Sequence, residues 1–142
     1  MGYVVMSKHY LWVYGTLKQG YANDHMMAGA EFLGDFHING CIMYEGKFAP
    51  YLKSHQVLNV DARTRLTKGE LYLVTSDLLE KLDRLEGHPH IYERMQIAWY
   101  TLIKDQPQVC IEAYLYKPDI PENSRVISEW TKKPTYEILS RL

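Results

Sequence analysis

The sequence predicts an α+β fold, with the strands forming an antiparallel-rich or mixed β-barrel. Three observations predict it: strand-like runs dominate, one amphipathic helix interrupts them near the middle, and no repeat or Gly/Ser/Pro-rich linker divides the chain. At 142 residues the chain is long enough to bury one core without disulfide or metal staples. Residues 1–142 are therefore read as a single domain, with a core over about 9–117 and a C-terminal tail over 118–142.

The first strand covers about His9 to Tyr14 and runs into the turn Tyr14-Gly15-Thr16-Leu17-Lys18-Gln19-Gly20. Asn23 to Ala30 reads as a short helix, capped by Asn23 or Asp24 and stopped near Gly29. Strands follow at Glu31 to His37 and Gly40 to Tyr44, and Asn39-Gly40 between them is a hairpin dipeptide. Glu45 to His55, with Gly46 and Pro50, reads as an irregular connection. Val57 to Val60 and Gly69 to Thr75 are the next strands.

Ser76 then offers an N-cap and Asp77 suits the first turn of a helix, while Leu78, Leu79, Leu82 and Leu85 share one face of a 3.6-residue period. Gly87 closes it. Beyond Pro89 lie two long strands, Glu93 to Ile103 and Val109 to Tyr116, joined by Lys104-Asp105-Gln106-Pro107 and long enough to wrap a barrel. Pro118, Pro121 and Pro134 break the remainder, where Ile127 to Trp130 and Tyr136 to Leu142 read as short outer helices.

A formal net charge of −1 gives no general electrostatic reason to bind nucleic acid or an anionic membrane, so a small-molecule or protein partner is expected. No run reaches the roughly 20 apolar residues of a membrane span, and the first residues lack the apolar core of a signal peptide. The expectation is a soluble, cytoplasmic protein. Cys41 and Cys110 sit in apolar segments and read as free thiols of a reducing compartment, a single disulfide being the alternative. The oligomeric state stays open.

Two segments carry chemistry. In the first, a strand that ends in a Gly-containing turn leaves backbone N–H groups free to converge on an anion, with Gly15 permitting positive φ or close approach. In the second, Leu82-Asp83-Arg84-Leu85-Glu86-Gly87-His88-Pro89-His90-Ile91-Tyr92-Glu93-Arg94, Glu86 closes the helix at the negative end of its dipole. That raises its pKa and suits a general base near neutral pH. Tyr92 and Arg94, two apart on a strand, either line a pocket or pair a half-buried ring with a surface cation. His88-Pro89-His90 completes no ligand set, so no metal is expected. No serine elbow, Walker loop or dinucleotide fingerprint is present, and no cofactor is expected.

Together with Gly69-Glu70-Leu71-Tyr72, and with Asn23 and His25 after the turn, these segments resemble the γ-glutamylcyclotransferase-like superfamily, most closely its γ-glutamylamine cyclotransferase branch. The resemblance spans about Leu11 to Tyr116. It implies a compact mixed β-barrel with flanking short helices. It also implies cyclisation of a γ-glutamyl group onto its own α-amine, releasing 5-oxoproline and the attached amine or amino acid without metal or cofactor. Carried over, Glu86 is the general base, and Tyr14, Gly15, Thr16 and Leu17 with Tyr92 bind substrate. The chain departs from the family pattern at Glu45 to His55, where Pro50 stands alone, and after Lys117. A non-catalytic small-molecule binding or protein-interaction module on the same barrel is the competing expectation.

Overall fold

The computed structural model describes residues 7–54 and 65–133. The strand expected at Val57 to Val60 and the helix expected at Tyr136 to Leu142 lie outside the described residues. The elements are β1 (Lys8–Val13), a 3₁₀ turn (Asp24–Met27), β2 (Glu31–Asn39), β3 (Cys41–Tyr44), β4 (Tyr51–Ser54), β5 (Leu66–Thr75), α1 (Ser76–Glu86), β6 (Tyr92–Tyr100), β7 (Val109–Tyr116) and β8 (Val126–Ile127).

Five strands form one sheet in the order β2-β5-β1-β7-β6, and a second sheet has the order β4-β3-β8. Neighbours are antiparallel except β1 and β7, which run parallel at the centre of the larger sheet. Period-2 alternation then sorts the core into two layers. Trp12, Leu71, Ile111, Ala113 and Leu115 face the smaller sheet and pack with Met43 and Leu52. Their sequence neighbours Leu11, Val13, Tyr72, Val74 and Tyr114 face the other way, onto Leu79 and Leu82 of α1. The helix thus lies on one face of the central sheet, with its end beside β1 and β7.

The α+β class is as expected, but the sheets are not closed into a barrel. Closure would require the edge strands β2 and β6 to pair, and both carry a bulge, between Phe32 and Gly34 and between Gln96 and Ala98. A bulge bends an edge strand and interrupts its row of backbone partners. Asn39-Gly40 is likewise not a hairpin, because β2 pairs with β5 whereas β3 pairs with β4 and β8. A two-residue hairpin of the Asn-Gly type needs positive φ at both positions, and of the two only Gly40 has it, at 88°. The dipeptide is the corner where the chain changes sheets.

Smaller differences follow from tertiary partners. The expected helix at Asn23 to Ala30 shortens to one 3₁₀ turn, and Asn23 makes no side-chain cap. Part of the expected irregular stretch is β4, and Ile127 to Trp130 is no helix: Ile127 joins β8 against β3, and Trp130 is 1% exposed in the core. The cap of α1 is Thr75, whose Oγ1 accepts from the Leu78 N–H at 3.3 Å, while the Ser76 hydroxyl meets His9 Nε2 at 3.0 Å. Cys41 is buried, Cys110 half-buried, and both are free thiols. Burial pushes the Cys41 thiol up to about 11, which leaves it a poor nucleophile at neutral pH. No helix among the described residues is long and apolar enough to cross a membrane.

Candidate active site

The turn after β1 begins where the strand loses its last ladder partner, Val13 opposite Glu70. It is closed by the Lys18 N–H donating to the Gly15 carbonyl at 3.1 Å, and it is braced by Asn23, whose N–H reaches the Thr16 carbonyl at 2.8 Å and whose Nδ2 reaches Thr16 Oγ1 at 2.9 Å. The amides that follow are satisfied: Gln19 N–H donates to Glu70 Oε1 at 2.9 Å and Gly20 N–H to Asp24 Oδ2 at 3.0 Å. By contrast, the N–H groups of Gly15, Thr16 and Leu17 have no hydrogen-bond acceptor among the described residues. Three consecutive unpaired donors are the makings of an anion nest. Gly15 serves it by close approach and not by positive φ, since a Cβ there would sit 2.8 Å from the Pro50 ring.

Glu86 is the last residue of α1. Gly87 then takes a left-handed conformation, φ 67°, its N–H donating to the Arg84 carbonyl and the next, from His88, to the Asp83 carbonyl at 2.9 Å. This stop places Glu86 in the lining of a narrow cleft, about 30 Å³ in volume, that the turn Tyr14 to Leu17 also lines. Tyr92 forms part of the lining as well. All six residues singled out for the site in the sequence therefore meet around one space. Burial raises the pKa of Glu86 from 4.5 to about 7. The direction matches the sequence argument, but the cause is loss of water and not the helix dipole. The carboxyl makes no hydrogen bond or ion pair among the described residues, so none of them stabilises its charge by a direct contact.

Three tyrosines surround it, and each spends its hydroxyl proton on the protein. Tyr14 Oη donates to the Tyr114 carbonyl in a short contact, Tyr92 Oη to the Pro50 carbonyl at 2.9 Å, and Tyr114 Oη to Asp83 Oδ1 at 2.7 Å. Burial, foremost, holds all three phenols well above the usual tyrosine range. They stay neutral.

Arg94 does not line the cleft; its guanidinium turns to Asp83 and Glu112. His88 Nδ1 accepts the Arg94 N–H at 3.0 Å, and no cluster of three or more His, Cys, Asp or Glu is placed to hold a metal among the described residues. Sequence reasoning missed Trp12, Val13, Ala49, Pro50 and Tyr114, which complete the lining. Pro50 stood out only as a lone proline. Tyr114 could have been found from the alternation of β7, which sets it on the opposite face from Ile111 and Ala113.

Fold and cleft together define a small α+β protein in which a partly desolvated carboxyl and three turn amides, unpaired among the described residues, line one space. Residues 11–132 match the family model described as "Gamma-glutamyl cyclotransferase, AIG2-like", and the chain belongs to that family. It lies near the amine cyclotransferase branch: it is 28% identical to gamma-glutamylaminecyclotransferase C of Danio rerio over 136 residues, covering 93% of this chain and 86% of that one. It is 26% identical to gamma-glutamylaminecyclotransferase A of the same organism over 132 residues, 90% of this chain and 77% of the other. Its fold is similar to the crystal structure of an AIG2-like protein from Mus musculus, with a TM-score of 0.69, 22% identity and 92% of each chain covered.

Proposed function

We propose that the protein is a γ-glutamyl cyclotransferase acting on a γ-glutamyl-amine or γ-glutamyl-amino acid, with Glu86 as its acid/base and no metal or cofactor in the chemistry. The observation that carries this reading is the pairing of an unpartnered Glu86 carboxyl with three unpaired amides across one cleft. The substrate's α-carboxylate occupies the amides of Gly15 to Leu17, and its α-ammonium faces Glu86.

With a pKa near that of an α-amine, roughly 7.7 to 8 in peptides, Glu86 exchanges a proton with the ammonium at little cost. The freed amine attacks the γ-carbonyl carbon, and a five-membered ring forms with an oxyanion on the former carbonyl oxygen. Glu86 passes the proton to the departing nitrogen as the carbon–nitrogen bond breaks. A second proton leaves the attacking nitrogen and a second reaches the amine product, so 5-oxoproline and an ammonium leave with the carboxylate restored. Because all three tyrosine hydroxyls around the cleft already donate to protein acceptors, the oxyanion takes its hydrogen bond from the Thr16 hydroxyl or from a turn amide that the α-carboxylate leaves free. Thr16 Oγ1 accepts from Asn23 and keeps its own proton to give. Folding the flexible glutamyl chain into an attack geometry supplies much of the rate, since oriented intramolecular reactions reach effective molarities of about 10⁵–10⁸ M.

The test is a panel of γ-glutamyl-amines and γ-glutamyl-amino acids with mass-spectrometric detection of 5-oxoproline. Wild type should release it from at least one class. Glu86→Gln should keep the fold while losing about 10²–10⁴ in kcat. Full product release by Glu86→Gln would overturn the reading, and binding without product in the wild type would replace an enzyme by a binding module.

A further inference from the structure

The Glu86 side chain has no hydrogen bond among the described residues, so its carboxyl is aimed by the backbone that carries it. Beyond the helix's own cap, that backbone is held on both sides by one residue of the neighbouring strand. Arg94 of β6 grips Asp83 with two donors, Nε to Oδ1 at 3.0 Å and Nη2 to Oδ2 at 3.2 Å. Its main-chain N–H reaches His88 Nδ1 at 3.0 Å. Asp83 lies three residues before Glu86 and His88 two residues after it. We propose that Arg94 is a positioning residue for Glu86, fastening the end of α1 on both sides of that carboxylate, through the Asp83 side chain before it and the His88 ring after it.

The fastening is anchored in depth. The third guanidinium nitrogen, Nη1, reaches Glu112 Oε2 of β7 at 2.7 Å, and Glu112 Oε1 in turn meets His9 Nδ1 of β1 at 3.3 Å. Asp83 Oδ1 also accepts from Tyr114, whose ring lines the cleft. Helix end, β6 and β7 are therefore tied at one point. Arg94 and Asp83 are only 21% and 18% exposed, so these charge-assisted bonds escape most of the screening that weakens surface pairs. A lysine cannot replace the fork, since it offers a point charge in place of planar paired donors.

This role rests on reading Glu86 as the acid/base, so its test needs a readout beyond turnover. The double variant Asp83→Asn with Arg94→Gln removes both charges of the pair at once, and the one anion it releases, Glu112, would push the Glu86 pKa up, so that a fall reports the fastening and not the local charge. The other titratable groups facing Glu86 are Tyr14 of the turn, Tyr92 of β6 and Tyr114 of β7, whose raised pKa values keep them neutral throughout. Carbon-13 NMR titration of the Glu86 carboxyl, assigned by difference from Glu86→Gln, should then move down from about 7 by at least half a pH unit as the loosened helix end admits water.

With the panel compound turned over fastest by wild type, kcat should fall at least tenfold while KM stays within threefold, because the amides of Gly15 to Leu17 are untouched. Arg94→Lys, the milder change, should lose at least threefold in kcat. If the double variant does not fold, Arg94→Lys decides alone. A folded double variant with wild-type titration and kcat, or wild-type kcat in Arg94→Lys, overturns the proposal. Should Glu86→Gln stay fully active, the functional reading fails and the NMR titration alone still decides the fastening.

Discussion

At the residue scale the decisive property is the solvation of one carboxyl. Burial raises the Glu86 pKa in the folded state from 4.5 to about 7. The folded protein therefore holds that proton more tightly than the unfolded chain, so the stabilising share is complete below about pH 4.5 and is lost as the pH rises through about 7. Glu86→Gln, which never ionises, should be more stable than wild type at pH 8 and not at pH 4. The upper bound on the gain is about 3 kcal/mol, reduced by whatever water reaches the half-buried side chain. Urea titrations at the two pH values measure it, and a gain of equal size at both would refute the buried charge as its source. The same ionisation should give kcat/KM an acid limb with a midpoint near 7, absent from the residual activity of Glu86→Gln.

At the scale of elements, the turn after β1 and the end of α1 were both legible in the sequence, because each is specified within a few residues: a glycine among turn formers, and a leucine period closed by Gly87. The third wall of the cleft was not. Ala49 and Pro50 lie some thirty-five residues from the turn and reach it only through the pairing of β4 with β3, which no local pattern announces. That wall decides the fate of Gly15. Its φ suits any residue, but a valine would drive Cβ into the Pro50 ring at 2.8 Å, so the turn and the wall must separate. Gly15→Val should weaken 5-oxoproline binding at least tenfold by calorimetry while the protein stays folded. Unchanged affinity would remove the turn from the site.

For the molecule as a whole, period-2 alternation gave the faces of the strands correctly but not their neighbours. Trp12 and Leu11 sort to opposite core layers as alternation demands, whereas nothing in Asn39-Gly40 distinguishes a hairpin from a change of sheet. The region after Lys117 shows the same limit, since Trp130 carries no periodic signal and yet is buried beside Trp12 and Tyr14, with its carbonyl accepting from Lys18 Nζ at 2.7 Å. Trp130→Ala should cost about 3–5 kcal/mol in urea unfolding. Its indole N–H is buried without a partner among the described residues, and an unsatisfied donor carries a penalty of about 1–3 kcal/mol. Trp130→Phe removes the same donor with far less volume and should cost far less than Trp130→Ala; equal losses would mean that lost volume is not what the substitution reports.

The parallel contact between β1 and β7 joins Tyr10 to Ile111 and Leu11 to Glu112, a separation of about a hundred residues, at the very middle of the larger sheet. The second flank of β1 is therefore covered only by a strand from the far end of the described residues. Loop closure over such a span is entropically expensive and slow. The flank of β1 that faces β7 therefore stays open after β5 has paired with the other, and the larger sheet closes over its middle only when the β6–β7 pair docks.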